Sequence, residues 1–169
     1  MVSIRAFGAL DHRSKNQRGE IMGKYFEEFQ VGQKTVTDKR TITEADIMQF
    51  AALTGDDNRI HTDPEFSKTT PFGKQIAHGV LGLSYALGLA WQTGMLDGTV
   101  IAFREINEWK FVKPVFIGDS IYVEMETVEA KALPRIGGGS VTIAVEIKNQ
   151  NDEVCHRGRW TVLMVSKLK

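Results

Sequence analysis

The sequence contains a single cysteine, Cys155, among its 169 residues. An intrachain disulfide is therefore excluded, and the class of small secreted domains held together by disulfides is excluded with it. The lack of cysteine fits a reducing compartment, so we expect a cytoplasmic protein. At this length, with 42% hydrophobic residues, the chain can bury a core without disulfide or metal support.

The sequence also lacks an excess of charge, because 21 Lys and Arg residues balance 21 Asp and Glu residues. Proteins that coat nucleic acid usually carry a basic excess, so we expect no nucleic-acid partner. Long hydrophobic runs are missing as well. The strongly apolar stretch over residues 80–91 has 12 residues, whereas a membrane span needs about 20. We therefore expect no membrane association and place this stretch in a helix inside the fold.

The first 21 residues differ from the rest. They carry four Arg and Lys residues against two Asp and Glu residues and show no regular hydrophobic period. We expect residues 1–21 to form a disordered extension and residues 22–169 to form one domain.

The local pattern predicts two helices. Residues 34–42 are rich in β-branched side chains and predict a first strand. Thr43 is placed to cap a helix that Gly55 would end. A second helix is expected over residues 79–91, and because it is apolar on every face we expect it to be buried.

After Gly98 the pattern changes to a period of two, which indicates strands. An antiparallel sheet wrapped around one buried helix would hide an apolar helix in a chain of this size. We therefore predict an α+β fold of that kind. The strand candidates are residues 100–103, 107–112, 121–126, 141–148 and 154–165.

One polar segment between the helices carries residues suited to acid–base chemistry. Asp56 and His61 lie five positions apart on what we expect to be an irregular loop. An imidazole can both take and give a proton near neutral pH, and a carboxylate beside it suits general acid–base catalysis. The alternative is that Asp56 and Asn58 are turn residues and that His61 is structural.

A second candidate lies at the start of the apolar helix, at His78 and Gly79. The first N–H groups of a helix have no helical acceptor and carry partial positive charge. They suit an oxygen on which negative charge develops, and Gly79 would let a substrate approach the backbone closely. The alternative is that both residues only shape the entry to the helix.

These two segments resemble the MaoC-like family of hot-dog-fold hydratases, which includes R-specific enoyl-CoA hydratases. The resemblance extends over about residues 22–166 and includes a flanking phrase at each end. The matching phrases are Tyr25-Phe26-Glu27-Glu28-Phe29-x-Val31-Gly32, Gly55-Asp56-x-Asn58-x-Ile60-His61-x-Asp63-Pro64-x-Phe66, Ile76-Ala77-His78-Gly79 and Phe111-Val112-Lys113-Pro114-Val115-Phe116-Ile117-Gly118-Asp119.

The resemblance implies a hot-dog fold and hydration of a trans-2-enoyl-CoA thioester to an (R)-3-hydroxyacyl-CoA. It implies that Asp56 and His61 hold and activate the water, that Asn58 and His78 help to form the pocket, and that the Gly79 N–H binds the thioester oxygen. Coenzyme A is part of the substrate, so no separate cofactor is expected. Hot-dog proteins generally dimerise through a sheet edge, which implies a homodimer or a larger assembly of dimers.

The chain departs from the family pattern at two positions. Arg59 replaces the usual proline after the motif asparagine, and we hypothesise that it contacts a carboxylate on a branched or dicarboxylic acyl group or a phosphate of coenzyme A. Leu87 takes the place of a serine found in some family members, with Ser84 about one turn earlier.

Three alternatives remain open from the sequence. The first is a hot-dog acyl-CoA thioesterase, and the second is a non-catalytic subunit that binds acyl thioesters. The third is a metal site formed by His61, Asp63 and His78, since imidazole and carboxylate groups are suitable zinc or iron ligands. Because the acid–base pair already accounts for these residues, we expect no metal.

Overall fold

The computed structural model describes residues 23–167. The predicted disordered extension at residues 1–21 lies outside the described residues. The elements in chain order are β1 (Lys34–Val36), β2 (Arg40–Thr41), α1 (Glu44–Thr54), α2 (Arg59–Thr62), α3 (Pro64–Lys68), α4 (Gly79–Gln92), β3 (Val100–Phe111), β4 (Ser120–Leu133), β5 (Gly138–Lys148) and β6 (Val154–Val165), with 3-10 turns at Phe26–Glu28 and Pro134–Ile136.

The strands form one antiparallel sheet in the order β1-β4-β5-β6-β3, and β2 also pairs with β4. The four long strands follow α4 in the chain, as the period of two predicted. On β5 the residues that alternate toward the helix are at most 2% exposed: Val141, Ile143, Val145 and Ile147. The α+β prediction is confirmed, with the core between this face and α4.

The first helix has the ends that the sequence predicts. The Thr43 hydroxyl accepts a hydrogen bond from the Asp46 N–H, and Gly55 ends the helix in the left-handed conformation at φ 77°. Glycine is favoured there because it has no Cβ to clash in that region. These two residues determine where the chain leaves α1 and enters the segment of Asp56 and His61.

Three local predictions are wrong in detail. Residues 34–42 form two short strands. The Thr37 N–H still donates to the Val123 carbonyl, but the Val123 N–H donates to the Thr37 hydroxyl in place of a backbone carbonyl, and the ladder ends there. Residues 100–111 form one strand rather than two, and its register shifts accommodate the polar break. His61 lies on the short helix α2 and not on an irregular loop.

The prediction that α4 is buried on every face is also wrong for the single chain. Leu81, Ala86 and Leu89 face the sheet and are buried, but Val80 is 53% exposed and Trp91 is 50% exposed. The apolar pattern therefore includes one face of the helix that nothing in the described chain covers. Among residues 23–167, no helix is both long enough and apolar enough to cross a membrane.

Candidate active site

Asp56, His61 and His78 come together at the amino end of α4. One carboxylate oxygen of Asp56 and one ring nitrogen of each histidine all lie within 4.8 Å of one another. Asp56 lies in the turn after α1, His61 lies on α2, and His78 occupies the N-cap position of α4. The structure thus joins the two segments that the sequence had marked separately.

A backbone carbonyl holds the His61 ring. The Asn58 side chain caps α2 by accepting the Ile60 N–H at 3.2 Å, which sets the start of the helix. His61 Nδ1 lies 2.8 Å from the Ile76 carbonyl oxygen, and because that oxygen can only accept, Nδ1 carries the hydrogen. Nε2 of the neutral ring therefore keeps its lone pair. The Gln75 side chain donates to the His61 carbonyl at 2.8 Å and ties α2 to the same segment.

The electrostatic surroundings favour a neutral His61 at neutral pH. Partial burial lowers the pKa of His61, and the neighbouring His78 lowers it further. The bond to Ile76 and the charge of Asp56 act in the opposite direction, but the pKa remains below its usual value of 6.5. A neutral imidazole with a free lone pair can act as a general base.

His78 is buried and stacked on His61. The two ring centroids are 3.9 Å apart, with an angle of 29° between the ring planes. The Phe50 ring also packs on His78, with centroids 5.0 Å apart and an angle of 52°. His78 Nε2 donates to the Asp56 backbone oxygen at 2.9 Å. Its Nδ1 is buried and has no hydrogen-bond partner among the described residues. The bond to Asp56 fastens the turn after α1 to the start of α4.

Gly79 is the first residue of α4, and among residues 23–167 the helix has no side-chain N-cap. The first N–H groups of a helix are suited to bind an anionic oxygen. A Cβ on Gly79 would lie 2.6 Å from Cε1 of Phe111, so a side chain at this position would collide with that ring. The Phe111 ring therefore fills the space that a side chain on residue 79 would need, and the close approach of a substrate to the Gly79 backbone stays a prediction.

Arg59 is engaged within its own segment. Its Nε and Nη2 donate to one Asp63 oxygen at 3.1 and 2.8 Å, and its guanidinium lies 4.5 Å from the Phe66 ring centroid. The other Asp63 oxygen accepts the N–H groups of Glu65 and Phe66 and caps α3. These local contacts account for Arg59 without a ligand.

Ser84 and Leu87 lie further along α4. The Ser84 hydroxyl is exposed and donates to the Val80 carbonyl at 2.9 Å, within the helix itself. Leu87 is half-buried and packs against the core. In the described chain, neither residue contributes a free hydrogen-bonding group to the cluster of Asp56, His61 and His78.

The structure brings together a different set of possible metal ligands from the one that the sequence suggested. Asp63 is occupied by Arg59 and α3, and the group that could hold a cation is Asp56, His61 and His78. Zinc bonds of about 2.0–2.1 Å require ligand atoms roughly 3.3–3.5 Å apart, with ring lone pairs that converge. The ligand atoms of this cluster lie within 4.8 Å of one another, a wider limit than this separation, and the absence of a metal stays a prediction.

The sequence reasoning missed the residues that hold this cluster in place. Gln75 and Ile76 bind α2, Phe50 packs on His78, and Phe111 packs on Gly79. The only signal for them was their position inside or beside the phrases that matched the family. Bonds between segments leave no periodic pattern in a sequence.

Comparison with known proteins identifies the family. The family described as MaoC like domain matches residues 28–150. Protein MaoC of Klebsiella aerogenes is 40% identical over 102 residues, which are 60% of this chain and 30% of that protein. An (R)-specific enoyl-CoA hydratase of Aeromonas caviae is 38% identical over 97 residues, 57% of this chain and 69% of that enzyme. The chain thus spans less than a third of the length of the Klebsiella protein.

Solved structures agree with the sequence relatives. The X-ray structure of a monoamine oxidase regulatory protein from Archaeoglobus has a TM-score of 0.80 and 42% identity, and the match covers 86% of this chain and 96% of that one. A Mycobacterium tuberculosis protein with a double hot-dog fold has a TM-score of 0.73 at 17% identity, covering 89% of this chain and 46% of that one, which shows the fold alone. The chain belongs to the MaoC-like domain family and has the hot-dog fold.

Proposed function

We propose that the protein is a hydratase that adds water reversibly to the double bond of a trans-2-enoyl-CoA thioester. The observation that carries the proposal is the meeting of Asp56 and His61 at the amino end of α4. Hydration needs a group that moves protons and a site that stabilises negative charge on the thioester oxygen. The first is available at Asp56 and His61, and the second at the Gly79 N–H.

In the proposed reaction, Asp56 and His61 hold a water molecule between them. The Nε2 lone pair of His61 takes a proton from the water as its oxygen bonds to C3 of the enoyl group. The electrons of the C2–C3 double bond move toward the thioester oxygen and form an enolate. A proton from the acid–base pair then reaches C2, so one water is added and the thioester bond stays intact.

In the proposed reaction, the amino end of α4 stabilises the negative charge of the enolate. Negative charge grows on the thioester oxygen only as the enolate forms, so a donor placed there favours the transition state over the bound substrate. Loss of one such donor typically lowers the rate by about 10²–10³. We propose the Gly79 N–H for this role, with His78 and Asn58 holding the surrounding backbone.

The substrate is proposed from the names of relatives and from the site. The Aeromonas caviae relative is named an (R)-specific enoyl-CoA hydratase, and we propose the same stereochemistry here. Because Asp63 already neutralises Arg59, we propose an enoyl chain without a second carboxylate. No cofactor beyond the coenzyme A of the substrate enters the proposed chemistry, and a cytoplasmic location stays a prediction.

We also propose a homodimer. Among residues 23–167, strand β3 has no partner strand on its outer side, and edge strands present unpaired backbone groups. It exposes Ile101, Phe103 and Ile106 by 40–44%. The chain also exposes one apolar face of α4, and we propose that a second copy buries this face together with the edge of β3. Sedimentation at micromolar concentration is expected to give twice the chain mass of 18.9 kDa.

The hydratase proposal is tested with purified protein and a panel of trans-2-enoyl-CoA thioesters, followed by loss of the enoyl absorbance. Asp56→Asn and His61→Gln are each expected to lower kcat by about 10²–10⁴, because each removes a partner in proton transfer. Asp57→Asn makes the same chemical change one residue away, at an exposed carboxylate, and serves as the control.

Three outcomes would contradict the proposal. Near-wild-type rates in Asp56→Asn or His61→Gln would remove the acid–base pair from the reaction. Release of free coenzyme A thiol without loss of the double bond would indicate a thioesterase instead. Tight binding of acyl-CoA with no turnover by the wild-type protein would indicate a non-catalytic subunit.

A further inference from the structure

Two aromatic rings of the sheet pack directly on two glycines of α4. A Cβ built on Gly79 would lie 2.6 Å from Cε1 of Phe111, and a Cβ on Gly82 would lie 2.6 Å from Cε1 of His156. Residues three apart in a helix lie on the same side. The first turn of α4 therefore approaches the sheet more closely than any residue with a side chain would allow.

The two rings also support each other. Phe111 on β3 and His156 on β6 are paired in the sheet register, and their rings meet edge to face with centroids 5.0 Å apart. His156 is only 3% exposed, and burial lowers its pKa to about 4, so the ring is neutral at neutral pH. The Trp109 ring also meets His156 edge to face, with centroids 6.3 Å apart. His156 is therefore held in the packed interior, and the Phe111 ring, which is 56% exposed, is held on Gly79 by its contact with this buried ring.

The contact at Phe111 bears on the site because Gly79 belongs to the candidate machinery. The ring touches the residue whose N–H would bind the thioester oxygen, next to His78 and its bond to Asp56. A displacement of about 1 Å in such a group can cost about 10²-fold in rate. A residue that determines how closely α4 approaches the sheet therefore determines where this donor lies.

We propose that Phe111 is a positioning residue, whose ring on Gly79 holds the amino end of α4 so that the Gly79 N–H faces the thioester oxygen. This inference rests on the proposed hydratase function. Phe111 makes no proton transfer and acts only through Gly79. Phe111 differs in this from the other exposed apolar residues of β3. The proposed partner subunit is enough to explain why those residues are apolar.

Phe111→Ala is compared with Phe103→Ala, which removes the same ring from the same strand. Phe103 is 41% exposed and its ring meets Trp160, whereas the atoms nearest to a Cβ on Gly79 and on Gly82 belong to Phe111 and His156. We expect Phe111→Ala to lower kcat by about 10–10² with KM changed less than about threefold, because the oxygen donor acts mainly in the transition state. Phe103→Ala should keep kcat within about threefold, and sedimentation of both variants separates any effect on assembly.

A double-mutant cycle tests whether the ring acts through Gly79. Gly79→Ala alone is expected to lower kcat strongly, because the new methyl group collides with Phe111. In the Gly79→Ala/Phe111→Ala protein that collision is gone, so the combined loss should be clearly smaller than the product of the two single losses. A combined loss equal to that product would overturn the proposal, as would a Phe111→Ala effect confined to KM.

Hydrogen exchange keeps the inference separate from the hydratase proposal. Peptides from the first two turns of α4 should exchange at least about threefold faster in Phe111→Ala than in the wild type or Phe103→Ala, since the packing that holds these turns is lost. If the wild type hydrates no thioester, the proposed function fails, and unchanged exchange would independently overturn the packing role. If the wild type is active and Phe111→Ala keeps full kcat, the positioning role alone fails.

Discussion

Replacement of Asp46 is expected to show how the scaffold behind the site is held together. Asp46 Oδ1 accepts hydrogen bonds from the Tyr85 hydroxyl at 2.6 Å and from Arg40 Nη2 at 3.0 Å. Oδ2 accepts the Thr43 N–H and hydroxyl at 2.8 Å each. The Arg40 guanidinium also lies 3.9 Å from the Tyr85 ring centroid. One carboxylate thus joins β2, α1 and α4.

The size of the effect follows from the pKa of this carboxyl. Burial alone would raise the pKa of Asp46, but the bonds from Tyr85, Thr43 and Arg40 lower it from 3.8 to about 2. At about 1.4 kcal/mol for each pKa unit, the ionised form adds at most about 2–3 kcal/mol to the free energy of unfolding. Arg40 is 44% exposed and solvent screens its charge, so we expect about 1–2 kcal/mol.

The sign of the pH dependence is determined by the direction of the shift. Because the folded pKa lies below the unfolded value, the contribution is complete above about pH 4 and is lost as the pH falls toward 2. Asp46→Asn should therefore be less stable than the wild type by about 1–2 kcal/mol at pH 7. The difference should shrink as the pH falls from 4 to 2, where the wild-type carboxyl also becomes neutral.

Urea denaturation at fixed protein concentration, followed by tryptophan fluorescence at several pH values, measures this difference. The concentration is held constant because a dimer would unfold with a concentration-dependent midpoint. Asp38→Asn makes the same change at an exposed aspartate and should alter stability by less than about 0.5 kcal/mol. A penalty for Asp46→Asn that stays constant down to pH 3 or below, or that equals the penalty for Asp38→Asn, would refute the reasoning.

Two further predictions concern α4 and Arg59. Gly82→Ala should destabilise the protein by about 1–3 kcal/mol, because its methyl group meets His156 at 2.6 Å. In the single chain, a Cβ on Gly88 would meet no atom within 4 Å, so Gly88→Ala should stabilise the monomer, measured at a protein concentration low enough to dissociate a dimer, by up to about 1 kcal/mol through helix propensity. A urea midpoint equal to that of the wild type would contradict the prediction for either variant. Arg59→Gln should change kcat/KM equally for plain and carboxylated enoyl thioesters, because Asp63 already binds the guanidinium. A loss confined to the carboxylated substrates would show that Arg59 contacts them.

The sequence predicted features that depend on neighbouring residues. Thr43 and Gly55 bound α1 as expected, since each acts within one turn of its own position. The alternation on β5 predicted its buried face because side chains of a strand point alternately to its two faces. The breaks in the first strand and the continuity of β3 were missed. They depend on the partner strand, through the Thr37 bonds to Val123 and the register shifts against β6.

For this protein, the sequence alone determined the family, the order of the main elements and the residue types of an acid–base site, because motifs and periods are properties of adjacent positions. Only the tertiary structure decided how those residues meet. His78 reaches the Asp56 carbonyl across 22 positions, and Gly79 is required by the ring of Phe111, which lies on a strand beyond the helix. Such contacts depend on sheet register and on how closely α4 packs, and neither quantity is encoded within a few residues of the site.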